Sequence, residues 1–307
     1  MNSFSFDLIH HDSKLSPFYD QSKTESELSK EALIRSLNRL NRFNSSMLRD
    51  AKYVESDLTI GDYLMSIYIV FGCDEAHQGD FKDGVQGVVG LGPGPLSLVS
   101  QVGNKFGESA NKLSYCLVEK PLELHSKIKF GSDLTLYKQN TEYTVQFKPS
   151  PPHTSYHLNL EAISVNDEKI EIPNKKHDMI VDIQTSLTSL PSNIYNEFIA
   201  KVKKHFGDAH SIEEPEHGTC FLKRQVDGLE RPKVVFHFSG LSESHGDFPV
   251  NPSTIFQENV EYMCLTIVRK DGVSILGNRA QVDVQMLFDL STHSLTFAAL
   301  NCIKVSF

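Results

Sequence analysis

Long apolar runs and clusters of basic residues are both missing from this 307-residue chain. A membrane-spanning helix needs about 20 consecutive apolar residues, and no such stretch occurs, so we expect no membrane span. The chain has 30 Lys and Arg against 39 Asp and Glu, a formal net charge of -9. Nucleic-acid surfaces need clustered positive charge. The composition therefore argues against nucleic-acid binding and is typical of a soluble globular protein.

An export signal and closely spaced cysteines are also missing. Residues 1–12 contain no basic flank followed by an uninterrupted apolar stretch, which is the pattern of a secretory signal peptide. The five cysteines, at positions 73, 116, 220, 264 and 302, are too far apart for a zinc knuckle or a redox Cys-x-x-Cys motif. Their spread suits long-range disulfides with one thiol left over in an exported protein. Five reduced, buried cysteines remain the alternative for a chain without a signal.

Patterns for metals and nucleotides are not found either. His205, His210 and His217 lack the spacing to each other and to an acid that a helical metal site needs, so we predict no metal. The glycine-rich run at 90–94 resembles a phosphate-binding loop only weakly, because Pro95 stands where a glycine is required and removes an amide donor. We therefore predict no cofactor.

A helix is predicted in the first 54 residues. Thr24 and Glu27 have the spacing of a capping box. The leucines that follow recur at a helical period, which predicts an amphipathic helix of about four to five turns; they are Leu28, Leu33, Leu37 and Leu40. Four cations make the helix basic, namely Lys30, Arg35, Arg39 and Arg42. An ordinary surface helix would show the same pattern.

From position 61 onward the chain is predicted to be rich in strands. Short apolar or alternating runs are separated by Gly, Pro, Asn and Asp. Residues 156–162 alternate, which predicts a strand with one buried side. Helical signals are few in this part, and the best are at 95–103 and 191–206. The prolines at 149–152 are a candidate boundary between two lobes.

Asp182 has the most distinctive surroundings of any acid in the chain. It follows an apolar strand, residues 179–181, and precedes the hydroxyl residues Thr185 and Ser186 and a turn that ends at Pro191. An acid at such a strand end can be tuned by burial and by its neighbours for acid–base chemistry. A strand that simply ends in a solvated Asp is the alternative.

These surroundings resemble the second active-site loop of pepsin-like aspartic peptidases of the plant nepenthesin-like branch. Further motifs match the family in order, at residues 6–12, 16–19, 71–73, 87–92, 95–101, 113–117, 128–132, 160–165 and 275–278. The resemblance implies an all-β, bilobal fold in three parts: a helical propeptide-like segment at 1–54 over the cleft, an N-terminal lobe at 55–150 and a C-terminal lobe at 151–307. It also implies a monomer that is extracellular or vacuolar and acts on protein or peptide substrates.

The same resemblance assigns roles to individual residues. Gly90 and Gly277 belong to the segments that support the two catalytic loops, and Thr185 and Ser186 belong to the second loop. The implied disulfides join Cys116 to Cys302 and Cys220 to Cys264, which leaves Cys73 unpaired. Asn44 starts a glycosylation sequon.

Two departures from the family pattern concern catalysis. Ile183 and Gln184 replace a hydroxyl residue and a glycine, and no Asp-Thr-Gly or Asp-Ser-Gly triplet occurs anywhere, so the first catalytic loop is missing and the N-terminal lobe is incomplete. The chemistry needs two carboxylates that share a proton. With Asp182 alone we predict an impaired or inactive endopeptidase. The alternatives are a non-catalytic inhibitor that binds a microbial glycosidase, and a truncated gene product.

Overall fold

Strands dominate the computed structural model, which describes residues 3–42, 52–59, 66–73, 89–107, 110–119, 124–137, 141–148, 155–214, 218–241 and 245–304. This confirms the predicted fold class. In these residues the helices are α1 Glu25–Arg42, α2 Leu98–Phe106, α3 Ser192–Phe206 and α4 Lys223–Val226. The strands are β1 Ser3–Leu8, β2 Lys52–Thr59, β3 Ser66–Cys73, β4 Lys112–Cys116, β5 Ser126–Gly131, β6 Tyr143–Gln146, β7 Tyr156–Val165, β8 Glu168–Glu171, β9 His177–Val181, β10 Thr188–Leu190, β11 Ser211–Glu214, β12 Gly218–Leu222, β13 Val234–Ser239, β14 His245–Val250, β15 Phe256–Glu258, β16 Tyr262–Leu265, β17 Ile267–Arg269, β18 Ser274–Leu276, β19 Val284–Asp289 and β20 Ser294–Ala299.

Three sheets and one hairpin hold these strands. A six-stranded sheet has the order β1-β5-β4-β19-β20-β6, and an eight-stranded sheet has the order β14-β13-β7-β9-β18-β10-β17, with β8 beside β7. A four-stranded sheet has the order β11-β12-β16-β15, and β2 pairs with β3. The six-stranded sheet contains strands from all three predicted parts of the chain. The part boundaries themselves stay predictions.

The first strand, β1, is absent from the sequence-based prediction. It runs antiparallel to β5, with Ser3 opposite Gly131 and Leu8 opposite Ser126. The ring of Phe4 stacks on Phe130 at 5.2 Å between centroids. Because β1 is the edge strand of the six-stranded sheet, the N-terminal segment contributes a strand as well as a helix.

Helix α1 begins where the capping box predicts. The Thr24 amide donates to a Glu27 carboxylate oxygen at 2.8 Å, and the Glu27 amide donates to Thr24 Oγ1 at 3.3 Å. These bonds satisfy donors that a helix start leaves free. Leu28, Leu33 and Leu40 are buried. Leu33 and Leu40 pack in a cluster with residues of the eight-stranded sheet and its loops, namely Ile180, Leu187, Val268 and Ile275, so this helix is part of the packed structure.

The other two predicted helices are present. Helix α3 directly follows Pro191 and buries Ile194, Phe198, Val202 and Phe206 as its spacing predicts. Helix α2 lies about three residues later than predicted. Its N-cap is Ser97, whose side-chain oxygen accepts the Ser100 amide at 3.2 Å, a geometry that fixes the start of a helix.

Strand β7 confirms the alternation at 156–162 for its apolar side, where Leu158, Leu160 and Ala162 are buried. The opposite side is not wholly exposed as predicted. His157 is also buried, and its ring Nδ1 lies 2.7 Å from a carboxylate oxygen of Asp178 on β9. Polar groups that are paired can be buried without a large cost.

Both disulfides implied by the resemblance are present. They join Cys116 to Cys302 and Cys220 to Cys264. Cys116 and Cys302 link the end of β4 to the chain after β20. Asn44 and the side chain of Cys73 lie outside the described residues, so the sequon and the unpaired thiol stay predictions. Within the described part of the chain, no helix is both long and apolar enough for a membrane crossing.

Candidate active site

The candidate site is centred on Asp182, one residue beyond the end of β9. Its amide donates to the Leu276 carbonyl at 3.1 Å, which continues the parallel pairing of β9 with β18. The side chain is about 10% exposed. Thr185 Oγ1 donates to the carboxylate Oδ2, and the Gln184 amide donates to Oδ1 at 3.3 Å. The loop therefore wraps around the carboxylate and supplies it with donors.

Gly277 supports this loop from behind, and the structure shows why a glycine stands there. A Cβ at this position would lie 2.4 Å from the Leu187 carbonyl oxygen and 2.8 Å from that of Ser186. The Gly277 amide donates to Thr188 Oγ1 at 3.1 Å. The backbone of the support segment and that of the loop are thus in direct contact, with no space for a side chain.

Asn278 completes the contact between the two segments. Its amide donates to the Thr185 carbonyl at 2.7 Å, and its side-chain Nδ2 donates to the Ile183 carbonyl at 2.8 Å. These two hydrogen bonds hold in place the carbonyl groups of the residues before and after Gln184. The backbone at Gln184 is not among the positions with positive φ, so the side chain that replaces the expected glycine is accommodated without left-handed strain.

Gly90 has no comparable role. Val89 is 62% exposed, and among the described residues no atom lies within 4 Å of a Cβ built on Gly90. Its carbonyl accepts the Leu98 amide at 2.9 Å, which positions the start of α2. Gly90 and Gly277 therefore differ: no described residue packs against a Cβ at Gly90, whereas Gly277 is packed against a catalytic-type loop. This difference fits the sequence, which contains no first Asp-Thr-Gly triplet.

Arg39 of α1 binds Asp182 directly. Arg39 Nε donates to Oδ2 at 2.7 Å and Nη2 donates to Oδ1 at 3.1 Å, a bidentate pair. One turn earlier, Ser36 Oγ accepts the Ser186 amide at 2.8 Å. The sequence predicts a basic helix, and the resemblance places it over the cleft, but neither identifies which cation reaches the acid. Arg35 instead binds Asp12 within the N-terminal segment.

Two further residues near Asp182 are not predicted from the sequence. Gln281 Nε2 donates to the Leu276 carbonyl at 2.8 Å and to the Asp182 carbonyl at 3.3 Å, and its Oε1 accepts the hydroxyl of Tyr115. Burial raises the pKa of Tyr115, with smaller contributions from Tyr156 and Asp182. Tyr115 therefore stays neutral and acts as a hydrogen-bond donor. Only contacts across the folded chain reveal these roles.

A cavity of about 410 Å³ adjoins the acid. Arg39, Gly90 and Gln184 contribute to its lining, and so do the rings of Tyr115 and Tyr156. Burial raises the pKa of Tyr156, whose hydroxyl donates to the Leu91 carbonyl at 2.7 Å. Among the described residues that line this cavity, Asp182 is the only carboxylate. The predicted residues Asp182, Thr185, Ser186 and Gly277 thus meet at one site, and Gly90 lies across the same cavity.

Comparison with protein families gives two matches. Residues 13–132 match the model described as the xylanase inhibitor N-terminal region, and residues 155–299 match the xylanase inhibitor C-terminal region.

Curated relatives include a probable aspartic protease of Arabidopsis thaliana, 30% identical over 254 residues, which are 76% of this chain and 55% of the relative. Nepenthesin-2 of Nepenthes gracilis is 28% identical over 248 residues, 76% of this chain and 54% of the relative. The chain thus spans about half the length of the curated relatives it matches.

Solved structures show the same fold at low sequence identity. Basic 7S globulin from soybean superposes with a TM-score of 0.66 at 17% identity, covering 77% of this chain and 65% of the globulin. Conglutin gamma from lupine seeds gives a TM-score of 0.64 at 19% identity, with coverages of 81% and 68%.

Proposed function

Because the chain belongs to the nepenthesin-like branch of the pepsin-like aspartic protease family, we propose that it is a member without peptidase activity, in which helix α1 of the same chain binds the remaining catalytic-type acid. The observation that carries this proposal is the bidentate pair between Arg39 and Asp182. Since the chain spans about half of its relatives, their activities are not transferred to it directly.

Peptide-bond hydrolysis by this family's chemistry requires two acids around one water. One carboxylate removes a proton from the water while the other, kept neutral, protonates the scissile carbonyl. General acid and base assistance each contribute about a hundred- to ten-thousand-fold in rate. Here Asp182 has no partner acid among the described lining residues. Both of its oxygens already accept hydrogen bonds from this chain, so the site is not arranged to activate a water.

An acid digestion assay tests the proposal. The full chain is incubated with a denatured protein at acidic pH, with and without pepstatin, beside the matched variants Asp182→Asn and Arg39→Ala. We expect no digestion by any of them. Arg39→Ala is the informative variant, because it separates a site that is merely blocked by α1 from one that lacks the chemistry. Pepstatin-sensitive digestion that Arg39→Ala increases and Asp182→Asn abolishes would overturn the proposal.

A second candidate function is inhibition of a glycosidase. It is supported by the description of the two matching family models, which together cover most of the chain. In this case the chain binds a secreted microbial glycosidase through its surface loops, and Asp182 plays no part. Measuring xylanase activity with increasing amounts of the chain tests this function. We expect a saturable loss of xylanase activity, and the same loss with the Asp182→Asn variant. Unaltered xylanase activity would count against the proposal.

We further propose an extracellular or vacuolar location, where disulfides persist. The Cys116–Cys302 and Cys220–Cys264 bonds support it. Fractionation of the expressing tissue with an antibody against the chain would detect it in the apoplast or vacuole. Recovery only with cytosolic markers would contradict this location.

A further inference from the structure

A serine, a histidine and an aspartate form a continuous hydrogen-bonded chain across three neighbouring strands of the eight-stranded sheet. Ser164 Oγ on β7 lies 2.6 Å from His237 Nε2 on β13. His237 Nδ1 lies 2.6 Å from Asp247 Oδ1 on β14. None of these residues contributes to the cavity around Asp182, so the group is separate from the site described above.

The contacts fix the role of each atom. A carboxylate only accepts hydrogen bonds, so His237 Nδ1 carries the proton that binds Asp247. In the neutral imidazole Nε2 is then the acceptor, and Ser164 donates its hydroxyl proton to it. This is the arrangement in which histidine acts as a general base on a serine while a carboxylate holds the ring in the required tautomer.

The strand register explains how residues far apart in sequence meet. His237 and Asp247 are direct cross-strand partners, and Ser164 is opposite Val235, so Ser164 and His237 are diagonal neighbours. A register shift follows His237. Adjacent strands place such neighbours within side-chain reach. Because the three residues lie on strands, there is no sequence signature of the kind found at a strand-to-helix nucleophile turn.

The group is partly exposed to solvent at one edge of the sheet. The His237 side chain is 14% exposed and that of Asp247 is 42% exposed, and β14 is an edge strand of its sheet. A reagent can therefore approach without a binding cavity. An open face suits small esters that have a good leaving group, rather than a large substrate held along its length.

A cation lies beside the serine. Lys169 on β8 is the direct cross-strand partner of Ser164, and its ammonium binds Glu171 at 3.1 Å with 38% of the side chain exposed. Partners in antiparallel strands have Cβ atoms about 4.5–5.5 Å apart. Lys169 is thus a close neighbour of Ser164 in the sheet, but Glu171 holds its ammonium and partly neutralises its charge, so we assign it no contact with the reacting atoms.

We propose that Ser164, His237 and Asp247 form an acyl-transfer site for small activated esters. Ser164 Oγ attacks the ester carbonyl and its proton passes to His237 Nε2; collapse of the tetrahedral intermediate releases the alcohol, which takes that proton. Water then attacks the acyl-serine, His237 accepts a proton from it, and the carboxylic acid leaves as the serine regains its proton. Asp247 is a positioning residue, since it acts through His237.

Covalent labelling tests the nucleophile directly. The full chain is treated with an alkyl fluorophosphonate, in which the serine oxygen bonds to phosphorus and fluoride leaves, and the product is mapped by mass spectrometry. We expect one label, on Ser164. Ser239 is the matched internal control, because it lies on β13 but donates to Glu161 at 2.5 Å instead of to an imidazole. Absence of label on Ser164, or equal label on Ser239, would overturn the proposal.

Hydrolysis of p-nitrophenyl acetate tests the roles. Ser164→Ala and His237→Gln are each expected to lower the rate by about a hundred-fold or more. Asp247→Asn should lower it as well, with partial recovery in Asp247→Glu, and Ser239→Ala should leave it unchanged. Thermal unfolding of each variant identifies any that fail to fold. A rate that survives in folded His237→Gln would show adventitious reactivity and refute the assigned roles, whatever the outcome of the acid digestion assay.

Discussion

Replacing Arg39 by Met tests whether the ion pair attaches helix α1 to the candidate site. Methionine keeps much of the apolar stem but removes both hydrogen bonds to Asp182, which are 2.7 and 3.1 Å long. Hydrogen bonds to charged groups are worth about 1.5–3 kcal/mol each, and a charge left unpaired when buried costs about 3–5 kcal/mol.

Two features of the pair reduce these values. The Arg39 side chain is 36% exposed against 10% for Asp182, and Thr185 and the Gln184 amide still bind the carboxylate after the change. We therefore expect Arg39→Met to lower the free energy of unfolding by about 2–3 kcal/mol, within the range of a broken buried pair after that reduction.

A double-mutant cycle measures the interaction itself. Urea unfolding of the full chain, of Arg39→Met, of Asp182→Asn and of the double variant should give a coupling energy of about 1–2 kcal/mol, as expected for residues in contact. Arg35→Met is the matched control, because Arg35 lies on the same helix but binds Asp12. A coupling of zero for Arg39, or an equal coupling for Arg35, would refute the assigned contact.

Three further predictions follow from single features. Gly277→Ala should lower the free energy of unfolding by about 1–3 kcal/mol, the usual cost of overpacking, whereas Gly90→Ala should change it by less than about 0.5 kcal/mol. Equal effects of the two variants in urea unfolding would contradict the packing described. Burial raises the pKa of Asp178, but hydrogen bonds from His157 and Lys148 outweigh it and hold the value at about 2. The contribution of the Asp178 carboxylate to the stability of the fold is therefore fully present above about pH 4, and it is lost as the pH falls towards 2. Asp178→Asn should flatten that part of the stability curve, and an unchanged slope would count against the ion pair. Cys302→Ala opens a disulfide that spans 186 residues and should cost about 2–5 kcal/mol; calorimetry that finds no lower melting temperature would contradict this.

Elements with strong local signals could be predicted from the sequence. Thr24 and Glu27 fix the start of α1 through bonds within one turn, and the spacing from Ile194 to Phe206 fixes the buried face of α3. The loop at Asp182 can be recognised in the sequence because its acid, hydroxyls and turn are contiguous. In each case the sequence signal lies within about a dozen residues of chain.

The remaining features depend on contacts between distant parts of the chain. Strand β1 exists because β5 offers an edge more than 100 residues away. The bond from Tyr115 to Gln281 spans 166 residues. The choice of Arg39 rather than Arg35 for Asp182 depends on where the helix docks. No local periodicity carries this information, so the sequence alone predicts a basic helix without its partner.

The N-terminal segment is attached to the rest of the protein at two separate places. Strand β1 adds to the edge of the six-stranded sheet, and α1 packs on Ile180, Leu187, Val268 and Ile275. A single cut of the backbone between α1 and β2 leaves both attachments intact. We therefore expect such a nicked chain to persist as a two-piece complex that elutes together on gel filtration and separates only in denaturant, so cleavage and release would be independent events.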